Sequence, residues 1–112
     1  MKTTITVTAC IAALVATTLP ASADDTGLAA ALHTLRREGG KICQQGHFHN
    51  GNSAGQPSKA IALKSAIGFW SSFTALEYGS DWASFKKAGS KSVTCTQSGG
   101  GWSCDVNARP CR

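Results

Sequence analysis

The chain has 112 residues and carries eleven Lys and Arg against six Asp and Glu, a net charge of +5 with the histidines neutral. This length fits one small domain, and the scattered positive charges are typical of a solvated surface rather than an anion-binding patch. A transmembrane helix needs about 20 consecutive apolar residues, and the sequence contains no run of that length. The composition therefore favours a small basic domain with no transmembrane segment.

The first segment, residues 1–23, is predicted to be a secretory signal peptide. It combines a basic start at Lys2, an apolar run over residues 5–19 and a small-residue site at residues 21–23. These are the three parts of a cleavable export signal, and we place the cleavage after Ala23. A periplasmic or secreted location follows, which argues against nucleic acid as a partner.

Cysteine usage agrees with export. Cys10 lies inside the apolar run and leaves with the signal peptide. The remaining cysteines are Cys43, Cys95, Cys104 and Cys111. An even number of cysteines in an oxidising compartment predicts two disulfides.

Residues 24–56 are predicted to form an N-terminal helix followed by a polar loop. The apolar positions of residues 24–40 recur at helical spacing, and Gly39-Gly40 would end the helix. These positions are Leu28, Ala31, Leu32 and Leu35. Residues 44–56 are rich in Gly, Asn, Ser and Gln and show no apolar periodicity, which predicts a loop.

Residues 57–112 are predicted to form a helix-helix-hairpin domain. Its first helix begins at Pro57-Ser58 and ends at Tyr78, because Gly79 is suited to a helix C-cap. The predicted apolar stripe of that helix comprises Leu63, Ile67, Trp70 and Phe73. A second short helix would start at Ser80 or Asp81 and run through Ala88.

The final segment reads as a β-hairpin, with strands at residues 92–98 and 102–106 around a glycine turn. A two-residue turn at Gly99-Gly100 places Cys95 opposite Cys104 in a closely spaced cross-strand pair. The alternation then predicts two faces. Val93, Cys95, Trp102, Cys104 and Val106 share one face, and Thr94, Thr96, Ser103 and Asp105 share the other.

The favoured disulfide pairing is Cys95–Cys104 with Cys43–Cys111. Cys43–Cys104 with Cys95–Cys111 is an alternative, since four cysteines allow three pairings. The predicted fold class is α+β: a small two-layer domain with helices packed on a C-terminal antiparallel β-hairpin and stapled by disulfides. A core this small needs such covalent support.

About the last 50 residues resemble a module of small exported proteins of alphaproteobacteria, most of them uncharacterised. A loop similar to residues 47–51 precedes the module in some members. The resemblance implies a bacterial, periplasmic or secreted setting and implies no activity. It is carried by Ala66-Ile67-Gly68-Phe69-Trp70, Glu77-Tyr78-Gly79, Trp82, Ala88, Ser90-Lys91, Cys95, Trp102-Ser103-Cys104 and Ala108-Arg109-Pro110-Cys111.

The predicted loop offers a candidate metal site. His47 and His49 are separated by one residue, so on an extended chain both rings point to the same side and can bind one Zn²⁺ or Cu²⁺. Cys43 completes a Cys-x3-His-x-His cluster if it does not form a disulfide. His33 is a candidate fourth ligand. The alternative is that these are ordinary loop histidines and that the protein has no cofactor.

No catalytic motif is present in the sequence. It lacks a nucleophile elbow and a phosphate-binding glycine loop. Glu77 and Asp81 are four residues apart, but Gly79 interrupts the helix that would bring them together. We therefore expect a non-enzymatic protein.

The leading functional hypothesis is a binding or interaction protein whose partner is an unidentified envelope protein or an anionic surface. Candidate surfaces are the predicted loop and the outer face of the hairpin. Candidate binding residues are Phe48, Asn50, Lys86 and Lys87. An aromatic platform for sugar rings is an alternative, but a domain this small needs its aromatic side chains for its core. These side chains are Trp70, Tyr78, Trp82, Phe85 and Trp102.

Overall fold

The computed structural model describes residues 34–112 of the protein. Strands β1 (Leu35–Glu38) and β2 (Lys41–Gln44) form a two-stranded antiparallel sheet. Strands β3 (His49–Asn52), β4 (Gly89–Ser98) and β5 (Gly101–Arg109) form a second antiparallel sheet in the order β3-β5-β4. One helix, α1 (Lys59–Tyr78), packs on this second sheet, and the predicted α+β class is confirmed.

The β4–β5 hairpin has the predicted register. Ser98 pairs with Gly101 across the turn at Gly99-Gly100, and Cys95 pairs with Cys104. Of the predicted inner face, Cys104 and Val106 lie in the hydrophobic core and Cys95 and Trp102 pack against it, whereas Val93 is 48% exposed. The local alternation of side chains and the glycine turn are therefore sufficient to define this hairpin.

Both predicted disulfides are present. Cys95–Cys104 links β4 to β5, and Cys43–Cys111 links β2 to the segment that follows β5. Ile42 and Arg112 also exchange two backbone hydrogen bonds, with N···O distances of 3.0 and 2.8 Å. The chain after β5 therefore continues the small sheet beside β2.

Helix α1 begins and ends where the sequence predicts. The Ser58 hydroxyl accepts a hydrogen bond from the Ile61 amide at 3.2 Å, which satisfies one of the free donors of the first turn. Gly79 follows the last helical residue with φ of 103°, a backbone conformation that favours glycine.

The buried face of α1 differs from the predicted stripe. Leu63 and Ile67 are only partly buried, and Phe73 is 48% exposed. The fully buried positions follow an i, i+4 ridge of mostly smaller side chains: Ala62, Ala66, Trp70, Thr74 and Tyr78. The small side chains of Ala62 and Ala66 let the helix approach the sheet closely, and Leu63 and Ile67 pack beside that contact.

The approach is closest where Gly51 of β3 lies against α1. A Cβ atom on Gly51 would lie 2.1 Å from the carbonyl oxygen of Ala66, far inside contact distance. Glycine is therefore required at this position by the packing of backbone on backbone.

The helix prediction for residues 24–40 is wrong for the last part of this segment. Residues 24–33 lie outside the described residues, as does the predicted signal peptide. Leu35–Glu38 form strand β1, which pairs with β2 around a turn at Gly39-Gly40. The glycine pair is thus a hairpin turn, and the Cys43–Cys111 disulfide anchors that hairpin to the domain.

Two further expectations are wrong. The predicted loop over residues 44–56 contains β3, which is stabilised by backbone pairing with β5 and not by an apolar pattern. The predicted second helix is reduced to a single 3-10 turn at Ser80–Trp82. Because β3 joins the sheet of the hairpin, residues from both predicted segments contribute to one sheet. Within residues 34–112, helix α1 lacks the apolar character of a membrane-spanning helix.

Candidate functional site

The segment from His47 to Asn50 supplies side chains to both faces of the three-stranded sheet. The His49 ring lies on the helix side, 4.9 Å from the Phe73 ring and stacked on Tyr78 at 5.1 Å. Phe48 and Asn50 lie on the outer side. This alternation follows from the period-2 geometry of extended chain.

His49 is held by a chain of hydrogen bonds from α1. Its Nδ1 atom lies 2.9 Å from the hydroxyl of Thr74, and that hydroxyl lies 2.7 Å from the carbonyl oxygen of Trp70. The Thr74 hydroxyl has one proton, which it donates to the carbonyl, so it accepts the hydrogen bond from His49 Nδ1–H. The tautomer is thereby set, and Nε2 faces the last turn of the helix.

The Nε2 atom of His49 contacts the carboxylate of Glu77. The distance from Nε2 to the Glu77 Oε2 atom is 2.7 Å, with 4% of the His49 side chain and 25% of the Glu77 side chain exposed. This is the distance of a charge-assisted hydrogen bond, in which a shared proton gives an imidazolium–carboxylate pair. A cation bound by both atoms would need them to separate to about 3.4 Å.

Tyr78 closes the inner side of this cluster. Burial raises the pKa of the Tyr78 hydroxyl, and the negative charge of Glu77 and a hydrogen bond to its carboxylate raise the pKa further. The hydroxyl therefore stays protonated across the physiological range and acts as a donor to Glu77.

His47 completes a three-ligand cluster. The ligand atoms of His47, His49 and Glu77 all lie within 4.8 Å of one another. Two ligands at 2.0–2.1 Å from a tetrahedral Zn²⁺ are about 3.4 Å apart, so side-chain shifts of less than about 1 Å would admit the ion. Two imidazoles and one carboxylate are a ligand set that Zn²⁺ and Cu²⁺ both accept.

Two of the three residues in this cluster, His47 and His49, are the candidate ligands proposed from the sequence. Cys43 is excluded as a ligand because it is bonded to Cys111. His33 lies outside the described residues. Asp81, considered as a partner of Glu77, is exposed in the 3-10 turn and takes no part in the cluster.

Glu77 was missed because its connection to His49 is tertiary. One sequence feature does point to Glu77: it lies three residues after Thr74, so both side chains are on one face of the helix and can reach the same partner. That spacing identifies a face but not the strand that packs on it.

A second candidate surface lies on the outer face of the sheet. Six polar side chains line a shallow depression of about 260 Å³ there: Asn50, Asn52, Ser92, Thr94, Asp105 and Asn107. Phe48 is 46% exposed, and its ring lies 4.4 Å from the guanidinium carbon of Arg109. Lys86 and Lys87 are exposed in the turn before β4 and do not line this depression.

Comparisons with protein-family models, with curated proteins and with solved structures found no match to this chain.

Proposed function

We propose that this protein is a small, exported, non-enzymatic binding protein that holds one divalent transition-metal ion through His47, His49 and Glu77. The observation that carries the proposal is the convergence of the three ligand atoms within 4.8 Å, although the residues come from two distant chain segments. His47 and His49 are neighbours in the sequence, and the fold brings the Glu77 carboxylate beside them as a third ligand.

The surroundings of the cluster support metal binding. Metal-bound histidines commonly donate the other ring N–H to a fixed acceptor, which orients the ring. His49 Nδ1–H has such an acceptor in Thr74. Glu77 lies beside the Tyr78 hydroxyl, whose pKa is raised by burial and by the negative charge of Glu77.

The proposal is for binding and not for catalysis. Many hydrolytic metal sites place a general base beside the metal-bound water. In this cluster Glu77 would be a ligand, and Tyr78 remains protonated because its pKa is raised. For a site of this kind the general order of metal affinities predicts tighter binding of Cu²⁺ than of Zn²⁺.

The test is a calorimetric titration of the oxidised full chain with Zn²⁺ and with Cu²⁺. We expect one ion per chain. His47→Ala and Glu77→Gln should each weaken binding by at least about tenfold, since even the loss of an outer hydrogen bond to a metal ligand costs that much. Circular dichroism of each variant checks that the fold is retained.

Asp81→Asn is the matched control, because it removes an exposed carboxylate four residues from Glu77 that lies outside the cluster. Its metal affinity should equal that of the unaltered protein. Absence of binding, or equal weakening by Asp81→Asn and Glu77→Gln, would show that His49 and Glu77 form only a proton-bridged ion pair.

A further inference from the structure

We propose that the outer face of the three-stranded sheet is a binding site for neutral carbohydrate. The face presents two rows of polar side chains across the three strands. The rows follow the strand register: Asn50, Asn107 and Ser92 in one, and Asn52, Asp105 and Thr94 in the other. With neighbouring strands about 5 Å apart and alternate residues about 7 Å apart, the grid matches the size of one or two sugar rings.

Phe48 supplies an aromatic platform beside this grid. Continuing the β3–β5 register places Phe48 opposite Arg109, one step beyond the row that begins with Asn50. The Arg109 guanidinium lies against one side of the ring, and almost half of the side chain remains exposed. A sugar ring presents C–H groups that pack on such a surface while its hydroxyls reach the polar rows.

The arginine that supports the ring is unavailable to a ligand. Arg109 is 7% exposed, its Nε atom lies 3.2 Å from Glu38 Oε2, and it donates to the carbonyl oxygen of Gln44 at 2.7 Å. The ring is therefore held in place by a side chain whose hydrogen bonds are made elsewhere. A platform fixed before binding loses little entropy when a ligand arrives.

The polar rows match the hydrogen-bonding chemistry of hydroxyl groups. Asn50 and Asn107 are linked by an amide–amide hydrogen bond, which orients both side chains and leaves each with further donor or acceptor capacity. Asp105 adds a carboxylate that can accept two hydrogen bonds, and the remaining members are hydroxyls or an amide. Planar amides and carboxylates of this kind bind adjacent hydroxyls of a sugar.

The charge of the residues that line the depression favours a neutral ligand. The depression contains one carboxylate and no Lys or Arg among its lining residues, so an anionic ligand would be repelled. A single carboxylate is also a poor site for a hard cation, which requires several charged oxygens. An apolar ligand would leave the polar side chains without hydrogen bonds.

The test is an NMR titration of ¹⁵N-labelled protein with the neutral trisaccharides cellotriose, maltotriose and chitotriose. We expect shifts of the amide resonances of residues 48–52, 92–94 and 105–107 for at least one of them. Sedimentation with insoluble cellulose, starch and chitin distinguishes the source of the sugar. Binding to the trisaccharide alone indicates a soluble oligosaccharide, and binding to the solid indicates a polymer surface.

Phe48→Ala should weaken the interaction by about tenfold. Phe69→Ala is the matched control, because Phe69 is also a highly exposed phenylalanine but lies on α1, outside this face. The proposal is overturned if millimolar concentrations of all three sugars leave the spectrum unchanged. It is also overturned if Phe48→Ala and Phe69→Ala have the same effect.

Discussion

Replacing Cys43 and Cys111 together by alanine is expected to lower the free energy of unfolding by about 4 kcal/mol. The disulfide joins residues separated by 68 positions, so its removal returns a large loop entropy to the unfolded chain. Both cysteines are fully buried, and the disulfide anchors the β1–β2 hairpin to the rest of the fold. Urea denaturation followed by tryptophan fluorescence measures the change.

Cys95→Ala with Cys104→Ala is the comparison. This disulfide closes a loop of only 9 positions, which corresponds to a loss of about 2.5 kcal/mol on the same entropic scale. The hairpin pair should therefore destabilise the protein less than the long-range pair. Equal losses, or a larger loss for the hairpin pair, would mean that loop entropy does not govern the stability of this domain.

Replacing Gly51 by alanine is expected to destabilise the protein by about 3 kcal/mol, the upper end of the usual range for overpacking. The added methyl group would collide with the Ala66 carbonyl oxygen and also approach the Cβ atom of Trp70 to 2.8 Å. Backbone atoms cannot rotate away, so β3 and α1 must separate. That movement would draw His49 away from Glu77, and metal affinity should fall with stability.

Gly68→Ala is the control for Gly51→Ala, because it makes the same chemical change in the facing helix. A Cβ atom on Gly68 meets nothing within 4 Å, and the residue lies in the interior of α1. Alanine there should raise stability by about 0.5–1 kcal/mol through its better helix propensity. Thermal denaturation of both variants should give shifts of opposite sign, and shifts of the same sign would contradict the close contact at Gly51.

The sequence was sufficient to predict the elements that are determined by neighbouring residues, which are the β4–β5 hairpin and the ends of α1. The β4–β5 hairpin follows from a glycine turn between alternating residues, and its register brings Cys95 opposite Cys104. The limits of α1 follow from the cap at Ser58 and the positive φ at Gly79. Once the hairpin pair is formed, Cys43 and Cys111 are left for the second disulfide.

The remaining elements depend on partners far away in the chain. Strand β3 contains the sequence His-Asn-Gly-Asn, which has no strand propensity, and it forms because β5 offers a hydrogen-bonding edge. The buried face of α1 follows the close approach at Gly51, so of the predicted stripe only Trp70 is fully buried. The contact between Glu77 and His49 is also long-range, so the sequence did not identify Glu77 as a member of the His47, His49 and Glu77 cluster.

The Cys43–Cys111 disulfide also has a topological consequence. Together with the backbone it forms a closed covalent ring that contains β3, α1, β4 and β5. A protease that cut the exposed connection at Ala54-Gly55 would therefore leave two fragments of one molecule still joined. A cut in the turn at Gly99-Gly100 would leave the fragments joined by both disulfides, because that turn lies inside both rings. In an environment that contains proteases, a nicked molecule would keep every strand of its sheet within reach, and only reduction would release the pieces.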